Sequence, residues 1–308
     1  MTELTAIILT KNEELHIARA IASVRAIATQ ILVVDSGSTD QTVALAQQAG
    51  ARVLQNPWRN YASQFNWGLD QIGGASGWVL RLDADEIVTP ELAAQIQNGL
   101  AKISDAVDGV HVGRRMCFQG CPIRFGGLFP TAMLRLFRNG RGRCEDRWMD
   151  EHIIVTGGTV AWSGCIIDDN RKPLDWWIDK HNGYASREVV DILNCQYRFL
   201  PQVGRDRLND GQAGAKRWVK DHIYGRLPGG LRAGLYFLYR YIARLGFLDG
   251  PQGRSFHVLQ GFWYRYLVDA KLSEVRAHMK TTGASPPDAI RTVLGIAVEA
   301  DIQRKVAA

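Results

Sequence analysis

Short apolar runs alternate with stretches of helical periodicity over the first third of the chain. Thr5-Ala6-Ile7-Ile8-Leu9 is stopped by Thr10-Lys11-Asn12-Glu13, after which Leu15, Ala18, Ile21, Ala22 and Val24 recur at helical spacing. Ile31-Leu32-Val33-Val34 ends at Asp35-Ser36-Gly37-Ser38-Thr39-Asp40, where Ser38 or Thr39 is placed to cap a helix through Gly50. Arg52-Val53-Leu54 leads to Trp58–Ile72, helical from about Tyr61, and Trp78-Val79-Leu80-Arg81-Leu82 runs into Asp83-Ala84-Asp85-Glu86. Runs this short without 3.6-residue spacing read as buried strands. Their regular alternation with helices predicts an α/β fold: a Rossmann-like, mostly parallel sheet flanked by helices.

Further on, Val107–Met116 and Met133–Arg138 read as strands, with a turn at Asn139-Gly140 and a loop rich in glycine and aromatics over 120–130. From Pro173 the pattern turns helical, and Trp176, Trp177, Lys180, His181 and Tyr184 form one aromatic, basic face. In 231–245, Leu231, Leu235, Leu238, Tyr241, Ile242 and Leu245 share an apolar arc, with Arg232, Tyr236, Arg240 and Arg244 opposite. Three arginines in so short a span do not suit a transmembrane helix. A basic amphipathic helix in a membrane interface fits, as does a helix packed on the rest of the protein. Phe256, Phe262, Trp263, Tyr264 and Tyr266 continue the aromatic theme, and Pro286-Pro287 marks a break before a last helix.

Composition narrows the picture. The 308 residues, 46% hydrophobic and 22% charged, are enough for a full core. The net charge of +6 is uneven: residues 171–280 hold 19 Lys+Arg against 10 Asp+Glu, the remainder 18 against 21. A basic C-terminal third implies an anionic partner such as a phospholipid surface, a lipid diphosphate or nucleic acid. The five cysteines (117, 121, 144, 165, 195) are irregularly placed. Cys117 and Cys121 with His111 lack the second spaced pair of a zinc site, so reduced cytosolic thiols are expected. The start Met1-Thr2-Glu3-Leu4 lacks the basic-then-apolar order of a signal peptide.

The chemistry concentrates where strands end: at Thr10/Asn12/Glu13, at Asp35/Asp40, and at Asp83/Asp85. The carboxyl edge of an open α/β sheet is where such proteins bind ligands. In an extended chain Asp83 and Asp85 would share a face and offer hard oxygen ligands to Mg²⁺ or Mn²⁺. The plainer alternative is an acidic strand-to-helix turn, with Glu86 and Thr89-Pro90-Glu91 capping the next helix. Farther along, Asp150-Glu151-His152 stands before another apolar strand and could equally be a solvated strand edge.

Three pieces together, Ile7-Ile8-Leu9-Thr10-Lys11-Asn12-Glu13-Glu14, Val33-Val34-Asp35-Ser36-Gly37-Ser38-Thr39-Asp40-Gln41-Thr42 and Leu80-Arg81-Leu82-Asp83-Ala84-Asp85-Glu86, carry a resemblance. In order and spacing they resemble inverting family 2 glycosyltransferases of the GT-A fold, and most closely the lipopolysaccharide-core β-glucosyltransferases and exopolysaccharide enzymes. The resemblance covers roughly residues 5–200. It implies a GT-A nucleotide-sugar-binding and catalytic domain over 1–200, and the amphipathic and aromatic pattern beyond it is read as a helical, aromatic-rich, membrane-interfacial extension over 201–308. It further implies that Thr10, Asn12, Glu13, Asp35 and Asp40 hold the nucleoside, a uridine. Asp83 would touch ribose or metal, Asp85 would bind Mg²⁺ or Mn²⁺, and Lys180 and His181 would reach donor phosphates. Asp150 or Glu151 would be the base, with Asp150 slightly favoured. Arg232, Arg240, Arg244 and Trp263 would meet an anionic membrane. The implied reaction moves a single sugar from a nucleotide-sugar donor to a lipid-linked or glycolipid acceptor at the inner face of the cell membrane. Processive relatives carry Gln-x-x-Arg-Trp and spanning helices, whereas Gln212 to Trp218 here is two residues too long. Two other readings stay open. One is a haloacid-dehalogenase-like phosphatase using Asp83, though Gly204 to Asp210 has one residue too many for its second motif. The other is a nucleic-acid-binding module in the basic third, which leaves the acidic edge unexplained and is not expected.

Overall fold

The structure, a computed structural model, describes residues 2–73, 77–129, 131–145, 151–200 and 230–298. It divides into two compact units, Met1–Lys172 with Gly246–Gly253, and Pro173–Leu245 with Arg254–Ala308.

The first unit opens with β1 (Leu4–Thr10), α1 (Ile17–Val24), β2 (Gln30–Asp35), α2 (Thr42–Gln48), β3 (Arg52–Gln55), α3 (Tyr61–Asp70) and β4 (Trp78–Asp83). β5 (Glu86–Val88), α4 (Pro90–Gly99), β6 (Val107–Phe118), β7 (Cys121–Ile123), β8 (Thr131–Arg138), β9 (Gly142–Cys144), β10 (Ile153–Val155) and β11 (Gly158–Asp169) follow. The main sheet has the order β3-β2-β1-β4-β8-β6-β11-β5, with β7 on β6, while β9 and β10 form a separate pair. Strands β1 to β4 are mutually parallel. β8 then joins antiparallel, so the sheet is mixed beyond β4.

The uninterrupted apolar runs are explained by burial on both faces. Side chains alternate along a strand. Ala6, Ile8, Val33 and Leu80 accordingly enter the core with Ile17, Ile21 and Val24 of α1 and Leu92 of α4. Ile7, Leu9, Leu32, Val34 and Val79 enter the opposite core with Phe65 and Leu69 of α3. The buried stripe of α1 is Ile17, Ala20, Ile21 and Val24. Leu15, assigned to that stripe from sequence, lies ahead of the helix and is exposed. Neither Ser38 nor Thr39 caps α2; the Thr42 N–H donates instead to Asp40 Oδ1 at 3.0 Å. Thr89 does cap α4, with Pro90 at its first position.

In the second unit α5 (Leu174–Tyr197) packs on α8 (Tyr264–Thr282) and α9 (Pro286–Leu294). α6 (Leu231–Leu238) runs on as a π-helical turn, Tyr239–Ala243, and α7 (Gly250–Phe256), whose first four residues count with the first unit, as another, His257–Trp263, that leads into α8. α8 stops at Gly283, whose φ of 71° only glycine adopts without strain. No helix among the described residues is long and apolar enough to cross a membrane.

The orientation of α6 corrects an expectation. Arg240 is 3% exposed and its guanidinium lies over the rings of Tyr236 and Phe256. Arg232 pairs with the buried Asp269, its Nε donating at 2.8 Å. The arginine face thus packs inward, because a buried carboxylate and ring faces receive it, and the apolar arc faces out. Of the arginines expected at a membrane surface, Arg244 is exposed. Trp263 is partly covered, with its ring 6.3 Å from that of Trp177.

Candidate functional site

The strand order reverses beside β1: β2 and β3 lie on one side of it and β4 on the other. Crevices at such a switch point, beyond the carboxyl ends of the strands, are the ligand sites of open α/β sheets. Register aligns the ends, with Thr10 opposite Asp35 and Leu9 opposite Asp83.

Asp35 is fully buried. Its Oδ1 accepts from the hydroxyls of Thr10 (3.1 Å) and Ser38 (2.5 Å), and its Oδ2 from the N–H groups of Gly37 (3.0 Å) and Ser38 (2.9 Å). All four acceptor positions of the carboxylate are filled from within the chain. Asn12, at a left-handed φ of 56°, ties this loop to the one after β1. Its Oδ1 accepts from Thr39 N at 2.8 Å and its N–H donates to Ser38 Oγ at 2.8 Å. Asp40 accepts from the Thr42 hydroxyl and N–H and from Glu14 N. Burial works to raise its pKa, but these hydrogen bonds outweigh it and leave the carboxyl more acidic than usual. Thr10, Asn12, Asp35 and Asp40 are therefore one hydrogen-bonded framework holding two loops in shape.

Glu13 belongs to a second framework. His16 Nε2 accepts from Arg171 N at 2.8 Å, so the ring proton sits on Nδ1 and donates to Glu13 Oε2 at 2.6 Å. Lys172 Nζ donates to Glu13 Oε1 at 2.7 Å. This ties the segment after β11 to the loop after β1. Asp169 strengthens the tie through Arg19 and Arg171.

β4 ends at Asp83, and Ala84-Asp85 forms a turn before β5. The two acids therefore do not lie along one extended strand, as the sequence led one to expect. Asp83 shares the α3 side of the sheet with Arg81, and Tyr61 of α3 donates to Asp83 Oδ1 at 2.5 Å. Arg135 of β8 reaches Asp83 Oδ2 at 3.3 Å and Glu86 Oε1 at 2.5 Å. Glu86 is not a cap: it is buried, and its Oε2 accepts from Asp83 N at 2.9 Å. Burial would raise the pKa of Asp83, but Arg135, Arg81 and the Tyr61 hydroxyl hold it well below the carboxylate range. Burial pushes Glu86 the other way, reinforced by the charge of Asp83 and opposed by Arg135. Arg114 joins the cluster through Asp168 and Glu86.

Asp85 differs from both neighbours. It is half-buried, and one oxygen accepts from Asn170 Nδ2 at 2.9 Å. Acceptor positions remain on a carboxylate held in place from behind. Mg²⁺ takes one or two protein carboxylates and completes its shell with phosphate and water oxygens, so Asp85, with an edge of Asp83, fits the protein's share. Among the described residues no three ligating side chains converge as a closed metal cage.

Glu151 comes to the same place. Arg81, lying over the Tyr61 ring at 4.2 Å, donates through Nη1 to the Glu151 carbonyl at 3.2 Å. His152 pairs with Glu145 at 3.0 Å. Asp150 lies outside the described residues. Lys180 and His181 are in the second unit. Lys180 Nζ is 4.6 Å from the centre of the Trp176 ring, and His181 stacks on Trp177 at 3.5 Å. Burial, with the charge of Lys180, lowers the pKa of His181 to about 4, so it is a neutral ring near pH 7. The sequence reading missed Tyr61, Arg81, Arg135 and Asn170. Arg81 and Arg135 left a signal: each is a charge inside an otherwise apolar strand, a place where charges are rare unless paired.

Fold and site together define an α/β protein with an acidic carboxyl edge at its switch point. The chain belongs to Glycosyl transferase family 2, whose profile matches residues 5–158. That membership sets aside the phosphatase reading of Asp83, whose second motif lies outside the described residues. The lipopolysaccharide core biosynthesis glycosyltransferase LpsC of Rhizobium meliloti is 34% identical over 190 residues, 59% of this chain and 69% of that protein. An uncharacterized glycosyltransferase of Rickettsia felis is 44% identical over 97 residues, 32% of this chain. The chain spans only 34% of the length of that relative. Among solved structures, glucosyl-3-phosphoglycerate synthase of Mycobacterium tuberculosis with Mg²⁺ and uridine diphosphate is 20% identical with a TM-score of 0.42, covering 66% of this chain and 82% of that one.

Proposed function

We propose that this protein is an inverting, divalent-metal-dependent glycosyltransferase that moves one hexose from a UDP-sugar to a lipid-linked, lipopolysaccharide or exopolysaccharide acceptor at the cytoplasmic membrane face. The observation that carries the reading is the half-buried Asp85, braced by Asn170 beside the Arg135-held Asp83, at the switch-point edge. The similarity to LpsC supports the class of acceptor.

In this reading the residues divide by task. Asp85, with Asp83 beside it, holds Mg²⁺ or Mn²⁺, which when bound neutralises charge on the departing diphosphate. Thr10, Asn12, Asp35 and Asp40 keep the nucleoside loops in shape, a narrower role than direct contact, and Glu13 braces them through His16 and Lys172. Asp150 or Glu151 takes the proton from the acceptor hydroxyl. Glu151 gains support from its carbonyl contact with Arg81. Lys180 remains a candidate for donor phosphates, while His181 could serve there only as a hydrogen-bonding neutral ring.

The test is a donor-hydrolysis screen over UDP-, GDP- and dTDP-sugars with Mn²⁺ or Mg²⁺, which needs no known acceptor. Slow metal-dependent hydrolysis of a UDP-hexose is expected. Asp85→Asn should abolish metal-dependent UDP binding in calorimetry while leaving the melting transition in place; unchanged UDP affinity in that variant removes Asp85 from the metal site.

A further inference from the structure

The second unit carries an amphipathic helix turned inside out. Leu231, Leu235, Leu238, Tyr239, Ile242 and Leu245 are each about half exposed, while Arg232 and Arg240 of the same helix are packed inward. The apolar surface extends onto the neighbouring helix. Phe262 lies 6.3 Å from Phe237 and stacks on Tyr266, which is itself half exposed and packs beside Gly230. A contiguous apolar face of this extent on a folded protein marks an interaction site.

The chemistry of the face selects its occupant. The spacing of Leu231, Leu235, Leu238, Ile242 and Leu245 matches the apolar seam of a coiled coil, so a second copy is the natural rival. The seam lasts only two heptads, however, where a coiled coil needs about three or four. The π-helical turn Tyr239–Ala243 also breaks the repeat. Residues 231–245 contain no acid, and the exposed Arg244 at the end of the face would find no carboxylate within the same segment of a second copy. An anionic bilayer meets the same face without these conflicts. It accepts the leucines and isoleucine below the headgroups, the tyrosines at the interface, and the exposed Arg244 beside lipid phosphates.

We propose that the outward face of α6 and its π turn, with Phe262 and Tyr266, inserts into the acyl-chain boundary of an anionic phospholipid bilayer, and that Arg232 and Arg240 serve to present that face rather than to touch lipid. The inference rests on the reading of a membrane-borne acceptor and adds to it the surface and the mode of contact. Because insertion is apolar, attachment survives salt that screens charges. The test is flotation of the full chain with vesicles of phosphatidylethanolamine and phosphatidylglycerol. Wild-type protein should float, and most of it should still float at about 0.5 M salt, where the screening length is roughly 4 Å. Leu238→Glu with Ile242→Glu should cut the floating fraction by about tenfold or more, since two charges would have to enter the acyl region. Both positions are solvent-facing, so the melting transition should not move, and Leu238→Ser with Ile242→Ser gives a second, uncharged check. Donor hydrolysis without vesicles reports on the proposed function separately and should match wild type in both variants. Undiminished flotation of the Glu variant overturns the proposal. So does loss of wild-type flotation in salt, which assigns binding to charge. A wild-type dimer in sedimentation that the Glu variant dissolves overturns it in favour of self-association.

Discussion

Three acids within four positions have three different surroundings, and these set what each can do. Asp83 is held ionised by Arg135, Arg81 and Tyr61; Glu86 is buried behind it, its pKa pushed up by burial and opposed by Arg135; Asp85 keeps acceptor positions free of protein donors. Arg135 links the first two, and its removal strands buried carboxylates without a partner. Arg135→Met should cost about 3–5 kcal/mol of stability, read from chemical denaturation. Adding Glu86→Gln should return about 1 kcal/mol or more, because the two residues share one network. A double variant no more stable than the single one removes Arg135 as the counter-ion of Glu86. The base is a second question at this scale. From the sequence, were Asp150 and Glu151 to lie on a strand they would point to opposite faces and only one could serve. The sequence slightly favoured Asp150, and Arg81 holds the backbone carbonyl of Glu151. Glu151→Gln should lower transfer by about 10² to 10⁴ with donor affinity kept, because the base acts on the acceptor hydroxyl. Near wild-type transfer in both Glu151→Gln and Asp150→Asn would place the base elsewhere.

At the scale of elements, apolar runs reported strands well because both faces of those strands are buried. Helical periodicity was a weaker guide to which face turns inward. In α1 the stripe shifts from Leu15 to Ile17, and in α6, where sequence left open an interfacial or a packed helix, the apolar arc faces out. Periodicity reports that two faces differ, and only the partner surface decides which is covered. For α6 that surface offers Asp269, 5% exposed in its side chain, and an arginine reaching it is worth more there than in water. Arg232→Gln should therefore lower stability by about 3 kcal/mol, seen as a drop in the denaturation midpoint. If this variant keeps full stability and loses vesicle binding instead, Arg232 contacts lipid and the inward packing is wrong.

At the scale of the molecule, the acidic edge exists because β1 lies between β2 and β4, which brings the ends of three separate strands into one row. The segment after β11, more than eighty positions beyond β4, closes the row from behind: Asn170 braces Asp85 and Lys172 braces Glu13. The sequence by itself determined the alternating α/β plan, the strand ends that carry polar clusters, and the acids of the Asp-Ala-Asp-Glu turn. These follow from local rules of apolar run length, helical period and turn chemistry, which need no distant partner. Only the tertiary structure decided that Asp35 is satisfied by its own loop and by Thr10 of β1, that Glu86 meets Arg135, and that the Glu151 carbonyl is held by Arg81. The same holds for the outward leucines of α6. The physical reason is common to all of them: a buried charge is settled by whichever opposite charge or donor the fold brings within hydrogen-bond reach, and that partner lies tens of residues away or is the residue's own backbone turn, with no periodic trace in the chain.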